Sequence, residues 1–139
     1  MIVLDTNVIS EPLKPLADPA VLRWLDSQDP ETLYLTATNL AEILIGIALL
    51  PVGKRKRGME PAMQSLLTNL FAGRFLSFDR EAAIAFALLG SRAAAKGYSI
   101  SVADCQIAAI AAVHGFAVAT RDTVPFLAAG VPVINPWEG

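Results

Sequence analysis

Four carboxylates stand where a folded chain can bring them together. Asp5 ends the apolar run Ile2-Val3-Leu4 and is followed at once by Thr6 and Asn7. Asp122 closes Thr120-Arg121-Asp122, directly behind the apolar run Phe116 to Ala119. Glu42 and Asp104 lie near the starts of two apolar helical patterns, three residues after Asn39 and Ser101. Taken singly, each acid has a structural explanation. Asn39-x-x-Glu42 and Ser101-x-x-Asp104 both fit a capping box, and Asp5 and Asp122 can each close an Asx turn where a strand ends. Together they pose an electrostatic problem. Two carboxylates ~4 Å apart repel by about 4 kcal/mol at an effective dielectric of about 20. Four in one crevice therefore require raised pKa values or bound cations.

An oxygen-only donor set favours a hard divalent ion, Mg²⁺ or Mn²⁺, over zinc. The single histidine, His114, precedes Gly115 at the end of a helical pattern, where it serves the helix terminus. Other chemistries lack parts. A Ser-His-Asp triad would have to recruit His114, and there is no G-x-S-x-G elbow. A Cys-His pair would need Cys105, which sits among apolar helical residues. As the lone cysteine it also excludes an intramolecular disulfide and a thiolate metal cluster. Neither phosphate-cradling glycine motif is present. Phosphotransfer through an acyl phosphate on Asp5 is a rival, although Asn7 stands where a D-x-D pattern would need its second acid.

The elements that must position these acids alternate along the chain. Of 139 residues, 54% are hydrophobic and only 7% aromatic, so one core built from Ala, Leu, Ile and Val is expected, in one domain over 1–139. Short apolar strands are predicted at 2–4, 33–35, 75–78, 116–119 and 131–134. Between them come a helix capped by Asp18 with Pro19 at its first position, a helix over 39–50, and another over 59–71 with Pro61 in its first turn. An Asp79-capped helix then runs to Lys96, and a last one spans 102–114, stopped by Gly115. The pattern is that of an α/β protein with a mostly parallel sheet and helices on both faces. In such sheets ligands bind at the carboxyl ends of the strands. Asp5 and Asp122 fall at such ends, and the helix starts carrying Glu42 and Asp104 can face the same edge.

Charge is nearly balanced, with 11 Lys and Arg against 13 Asp and Glu, which excludes a bulk-basic nucleic-acid binder. The one concentrated cationic run, Lys54-Arg55-Lys56-Arg57, reads as a solvated connector after Pro51, with a phosphate-contacting patch as its functional alternative. Apolar stretches around Leu44 and Ile107 are broken by Glu42, Asp104, Gln106 and His114, well short of a membrane span. Asp5 arrives too early for a secretory signal, so a soluble cytoplasmic protein is expected.

MIVLDTNVISEP at the start, Ala41-Glu42, SVADCQIAA before Gly115 and ATRDTVPF near the end resemble a PIN domain, in order and across essentially the whole chain. More narrowly, DTNVISEP, TRDT and the closing NPW are similar to the VapC toxins of bacterial toxin–antitoxin systems, in their FitB-like branch. The resemblance implies an Mg²⁺- or Mn²⁺-dependent ribonuclease that hydrolyses RNA to 5′-phosphate and 3′-hydroxyl ends. It carries the family's acidic quartet onto Asp5, Glu42, Asp104 and Asp122, as catalytic metal ligands, and its polar supporting positions onto Thr6, Asn7 and Thr120. Many relatives have Asn in place of Asp122 and an acid three residues later, where this chain has Pro125; the FitB-like pattern uses the earlier position. Flanking RNA phosphates are assigned to Arg121, Lys14 and the run Lys54, Arg55, Lys56, Arg57. The resemblance also implies a cognate antitoxin, operator DNA bound through the antitoxin complex, and a homodimer. A non-catalytic pocket that only docks the antitoxin is the competing expectation.

Overall fold

The computed structural model describes residues 1–138. Five short strands, β1 (Ile2–Leu4), β2 (Leu33–Thr36), β3 (Phe75–Leu76), β4 (Ala117–Ala119) and β5 (Val133–Ile134), form one sheet in the order β3-β2-β1-β4-β5. Every pairing is parallel. A parallel sheet is covered on both faces, which is why its strands are continuously apolar. Successive side chains alternate between the two covers. Leu4, Leu33 and Leu35 enter one hydrophobic cluster, whereas Val3 and Val118 enter the other. The expected α/β architecture is thus present.

Among the described residues seven α-helices connect the strands: α1 (Thr6–Ser10), α2 (Pro19–Ser27), α3 (Ala37–Ala48), α4 (Lys54–Leu66), α5 (Arg80–Ala95), α6 (Val102–His114) and α7 (Thr123–Ala129). The most buried is α6. Cys105 and the run Ile107 to Ala111 are closed off from solvent, and three alanines in that run let the helix backbone approach its neighbours closely. Asp18, Asp79 and Ser101 cap α2, α5 and α6 through their side chains, and Gly115 ends α6 in the left-handed conformation, all as the sequence predicts. None of the described helices is long and apolar enough to cross a membrane.

Several boundaries depart from expectation. The run Lys54 to Arg57 is no connector; it forms the first turn of α4, behind Gly53. Lys and Arg are good helix formers, and Lys56 Nζ donates to the Ala48 carbonyl at 3.1 Å, closing the end of α3. Pro61 consequently lies inside α4, not in its first turn, and removes one backbone hydrogen bond there. The continuation to Phe71 widens into a π-turn over Leu67–Phe71. Helix α3 starts two residues early because Thr36, not Asn39, is its cap. Glu42 is therefore in the second turn of α3. Strand β5 is shorter than predicted, and α1 and α7 are helices where only turns were read.

Topology fixes where a ligand can sit. From β1 the chain moves outward through β2 to β3, then returns to place β4 and β5 on the other side of β1. The direction reverses between β1 and β4, leaving a crevice at their carboxyl ends. Register brings Leu4 opposite Ala119, and the Asp5 N–H donates to the Ala119 carbonyl at 2.9 Å. Asp5 and Thr120 therefore leave the sheet side by side.

Two glycine substitutions should have opposite effects. Gly130 ends α7 at φ +92°, and a Cβ there would meet the Arg92 side chain at 2.6 Å. Gly130→Ala should destabilise by about 1–2 kcal/mol or more, from the left-handed backbone alone. Gly46 lies mid-helix in α3 with open space around it, so Gly46→Ala should stabilise by about 0.5–1 kcal/mol. Urea unfolding of both variants checks the pair.

Candidate active site

Asp5 caps α1, its Oδ1 accepting from the Thr6 N–H at 2.8 Å. It is only 6% exposed. Its other oxygen, Oδ2, accepts from the Thr120 hydroxyl at 2.8 Å, and the Asn39 side-chain amide lies 3.4 Å from Oδ1. The carboxylate is thus gripped from α1, from the end of β4 and from α3. Hydrogen bonds of this kind favour the ionised form, yet Asp5 is pushed above the ordinary aspartate range. Burial outweighs the Thr120 and Thr6 bonds, and the charges of Glu42 and Asp122 push in the same direction.

The other acids face the same place. Asp104, half-buried at the third position of α6, is also raised, first by burial and then by the charge of Asp5, with Asp122 adding a smaller push. The Ser101 hydroxyl opposes that shift. Glu42 is half-buried and its Oε1 accepts from the Thr6 hydroxyl at 3.0 Å. Asp122 is exposed at the start of α7 and makes no side-chain cap there; its N–H donates to the Thr120 hydroxyl at 3.0 Å. Thr120 is therefore a buried pivot that joins Asp5 and Asp122 through one oxygen. Among the described residues no hydrogen bond joins the Asn7 side chain to the acids. Its Oδ1 accepts from the Arg121 N–H at 3.4 Å, tying α1 to the loop after β4.

The sequence-predicted cations separate. The hydrogen bonds and ion pairs of the described residues join none of Lys54, Arg55, Lys56 or Arg57 to the acids. Arg55 and Lys14 line a cavity of about 390 Å³ with Ser10 and Met59. Arg121 is already engaged, its guanidinium carbon 5.3 Å from the centre of the Trp137 ring. Its charge also helps hold the Glu11 carboxyl below the usual range, after the larger effects of Lys14 and the Asp18 N–H. Glu11 itself, unremarked in the sequence, is buried, with Lys14 Nζ 2.9 Å from Oε2. The sequence also gave no role beyond capping to Asn39, which is completely buried beneath Asp5 and Thr6. A signal was present: Asn39 shares the buried stripe of α3 with Ile43 and Ile47, a polar side chain on an apolar face.

The donor set suits a hard cation. The acids and threonines of the crevice offer oxygen, and Asp5 and Asp104 sit above their ordinary pKa, first through burial and then through the neighbouring negative charges. Among the described residues no three acids, histidines or cysteines are close enough to enclose an ion by themselves. Mg²⁺ is normally held by one or two carboxylates with waters and substrate phosphates completing its shell, so an open arrangement of this kind fits it.

Comparisons with known proteins identify the family and its relatives. The PIN domain family profile matches residues 2–130. The chain is 51% identical over 138 residues to VapC ribonuclease Y4jK of Sinorhizobium fredii and 48% identical over 138 residues to Toxin FitB of Neisseria gonorrhoeae, covering 99% of each chain in both cases. It superposes on a chain in the structure of FitAB bound to an IR36 DNA fragment with a TM-score of 0.94 at 49% identity, covering 99% of this chain and 96% of that one.

The raised carboxyls carry a pH signature. Asp5 binds its proton more readily folded than unfolded, so its contribution to stability is complete below the unfolded value and is lost as pH rises through the folded one. In metal-free buffer, the Tm of Asp5→Asn minus that of the wild type should therefore rise as pH is raised from the ordinary aspartate value of 3.8 through the folded one. A difference independent of pH would mean that Asp5 is not raised.

Proposed function

The chain belongs to the PIN-domain family, and from that premise we propose that it is the toxin of a VapBC-type toxin–antitoxin pair, a divalent-metal-dependent ribonuclease acting in the cytoplasm. The observation that carries this reading is the buried carboxylate of Asp5 within the fields of Glu42, Asp104 and Asp122 at the switch point of the sheet. Near identity in length and half identity in sequence to a VapC ribonuclease and to Toxin FitB support the same conclusion.

Asp5 and Asp104 are assigned as the principal ligands of Mg²⁺ or Mn²⁺, with Glu42 and Asp122 completing the set directly or through water. A bound ion would neutralise the phosphate and lower the pKa of a water beside it. The protein's own residues do the positioning. Thr120 and the Thr6 N–H hold the two Asp5 oxygens in fixed directions, and the Thr6 hydroxyl holds Glu42. Ser101 fixes the start of α6 and with it Asp104. Arg55 and Lys14, on one cavity wall, are assigned to flanking RNA phosphates. Arg121 is assigned to the Trp137 contact, where it steadies the loop bearing Asp122.

An antitoxin is the proposed protein partner, with operator DNA reached through the toxin–antitoxin complex, as the FitAB–DNA structure supports. A homodimer is proposed as the toxin's own assembly. Exposed apolar side chains for such contacts are available on α3 (Leu44, Ile45) with Leu49 just beyond it, and on α5 (Ile84, Leu88).

Purified, antitoxin-free protein should cut total RNA with Mg²⁺ or Mn²⁺ and not with EDTA. Asp5→Asn and Asp104→Asn should each lower the rate by about a hundredfold or more. Wild-type protein that binds antitoxin yet cuts no RNA under any metal would replace this reading with that of an antitoxin-docking pocket. Cutting that survives both substitutions would overturn the site.

A further inference from the structure

Asn39 reaches the acidic crevice from α3, touching both Asp5 and the Thr6 hydroxyl that holds Glu42. It is completely buried, and each of its side-chain atoms is used. Oδ1 accepts from the Thr36 hydroxyl at 2.6 Å and from the Thr36 N–H at 3.3 Å, closing the capping box of α3. With the acceptor spent on the cap, the amide can only donate toward the site. Nδ2 lies 3.4 Å from Asp5 Oδ1 and 3.2 Å from the Thr6 hydroxyl oxygen.

The second contact has a directional consequence. A hydroxyl that accepts from Asn39 keeps its own proton free to donate elsewhere. Thr6 donates it to Glu42 Oε1 at 3.0 Å. The chain of donors therefore runs from the Asn39 amide through Thr6 to Glu42, while the same amide group touches Asp5. Two carboxylates that are 37 residues apart in sequence acquire one common anchor.

We propose that Asn39 is a positioning residue, whose side-chain amide sets the Asp5 and Glu42 carboxylates in one frame, Glu42 through the Thr6 hydroxyl, and thereby fixes the affinity of the crevice for a divalent cation. The inference rests on the nuclease reading above and deepens it. Partners outside the ligand shell commonly change metal affinity by about 10–100-fold when removed. A capping role alone would act on the stability of α3 and leave that affinity in place.

The test is Mn²⁺ binding followed by electron paramagnetic resonance on antitoxin-free protein, with RNA cleavage measured beside it. Asn39→Ala should weaken Mn²⁺ binding by about tenfold or more. Asp79→Ala, which deletes the α5 cap and none of the hydrogen bonds of the crevice, should lower stability and leave Mn²⁺ binding within about twofold of the wild type. A second measurement needs no variant: the side-chain amide resonances of Asn39 in the wild-type protein should move on addition of Mg²⁺. Equal Mn²⁺ affinities for Asn39→Ala and wild type, or Asn39 amide signals that ignore Mg²⁺, would overturn the inference while leaving the nuclease reading intact. Wild-type protein that neither binds Mn²⁺ nor cuts RNA would overturn both.

Discussion

A carboxylate taken out of water costs several kcal/mol unless hydrogen bonds or an opposite charge compensate it. Asp5 is such a group, 6% exposed at the tip of β1, with two further carboxylates raising it toward the neutral form. Much of the surrounding structure can be understood as the means of holding it there. Thr120 comes from the neighbouring strand end, Thr6 from the helix that Asp5 itself caps, and Asn39 from α3. Three donors from three elements fix a direction but do not remove the repulsion. Burial and the neighbouring charges still hold Asp5 above the ordinary aspartate range, a tension that a bound cation would relieve.

The fold makes this arrangement affordable. Parallel pairing places β1 and β4 abreast, so their ends deliver Asp5 and Thr120 to adjacent positions without any long side chain. Apolar clusters on both faces of the sheet hold the strand ends rigid. Rigid elements present ligands more precisely than loops do. Asp122, the most exposed of the acids, is also the one carried on a turn, and it is steadied twice, by its N–H on Thr120 and by the Arg121 contact with Trp137. The closing Asn-Pro-Trp segment is thus tied through Trp137 to the residue next to Asp122.

Much of this was legible in the sequence where the signal is local. The alternation of apolar runs with helical patterns gave the sheet and its helices, and the caps Asp18, Asp79 and Ser101 announce themselves by type and spacing. The acids could be picked out because strand ends and helix starts meet at one edge of a parallel sheet. What escaped was short, masked or non-local. Helix α1 has five residues, too few for a period to show. Helix α7 carries Pro125 in its first turn, where a missing N–H costs nothing but reads as a break. Four cations suggested a solvated connector and hid good helix formers in α4. Asn39 spoke locally for a cap, while its contacts to Asp5 and Thr6 span 34 and 33 residues and leave no trace in spacing.

The most direct test of a cation-dependent acidic centre is anomalous diffraction from crystals of the antitoxin-free protein soaked in Mn²⁺. The account predicts an anomalous peak in the crevice between β1 and β4, in contact with the Asp5 and Asp104 carboxylates, and its loss in Asp5→Asn. Well-soaked crystals with no peak there, or with Mn²⁺ only at sites away from these acids, would contradict it.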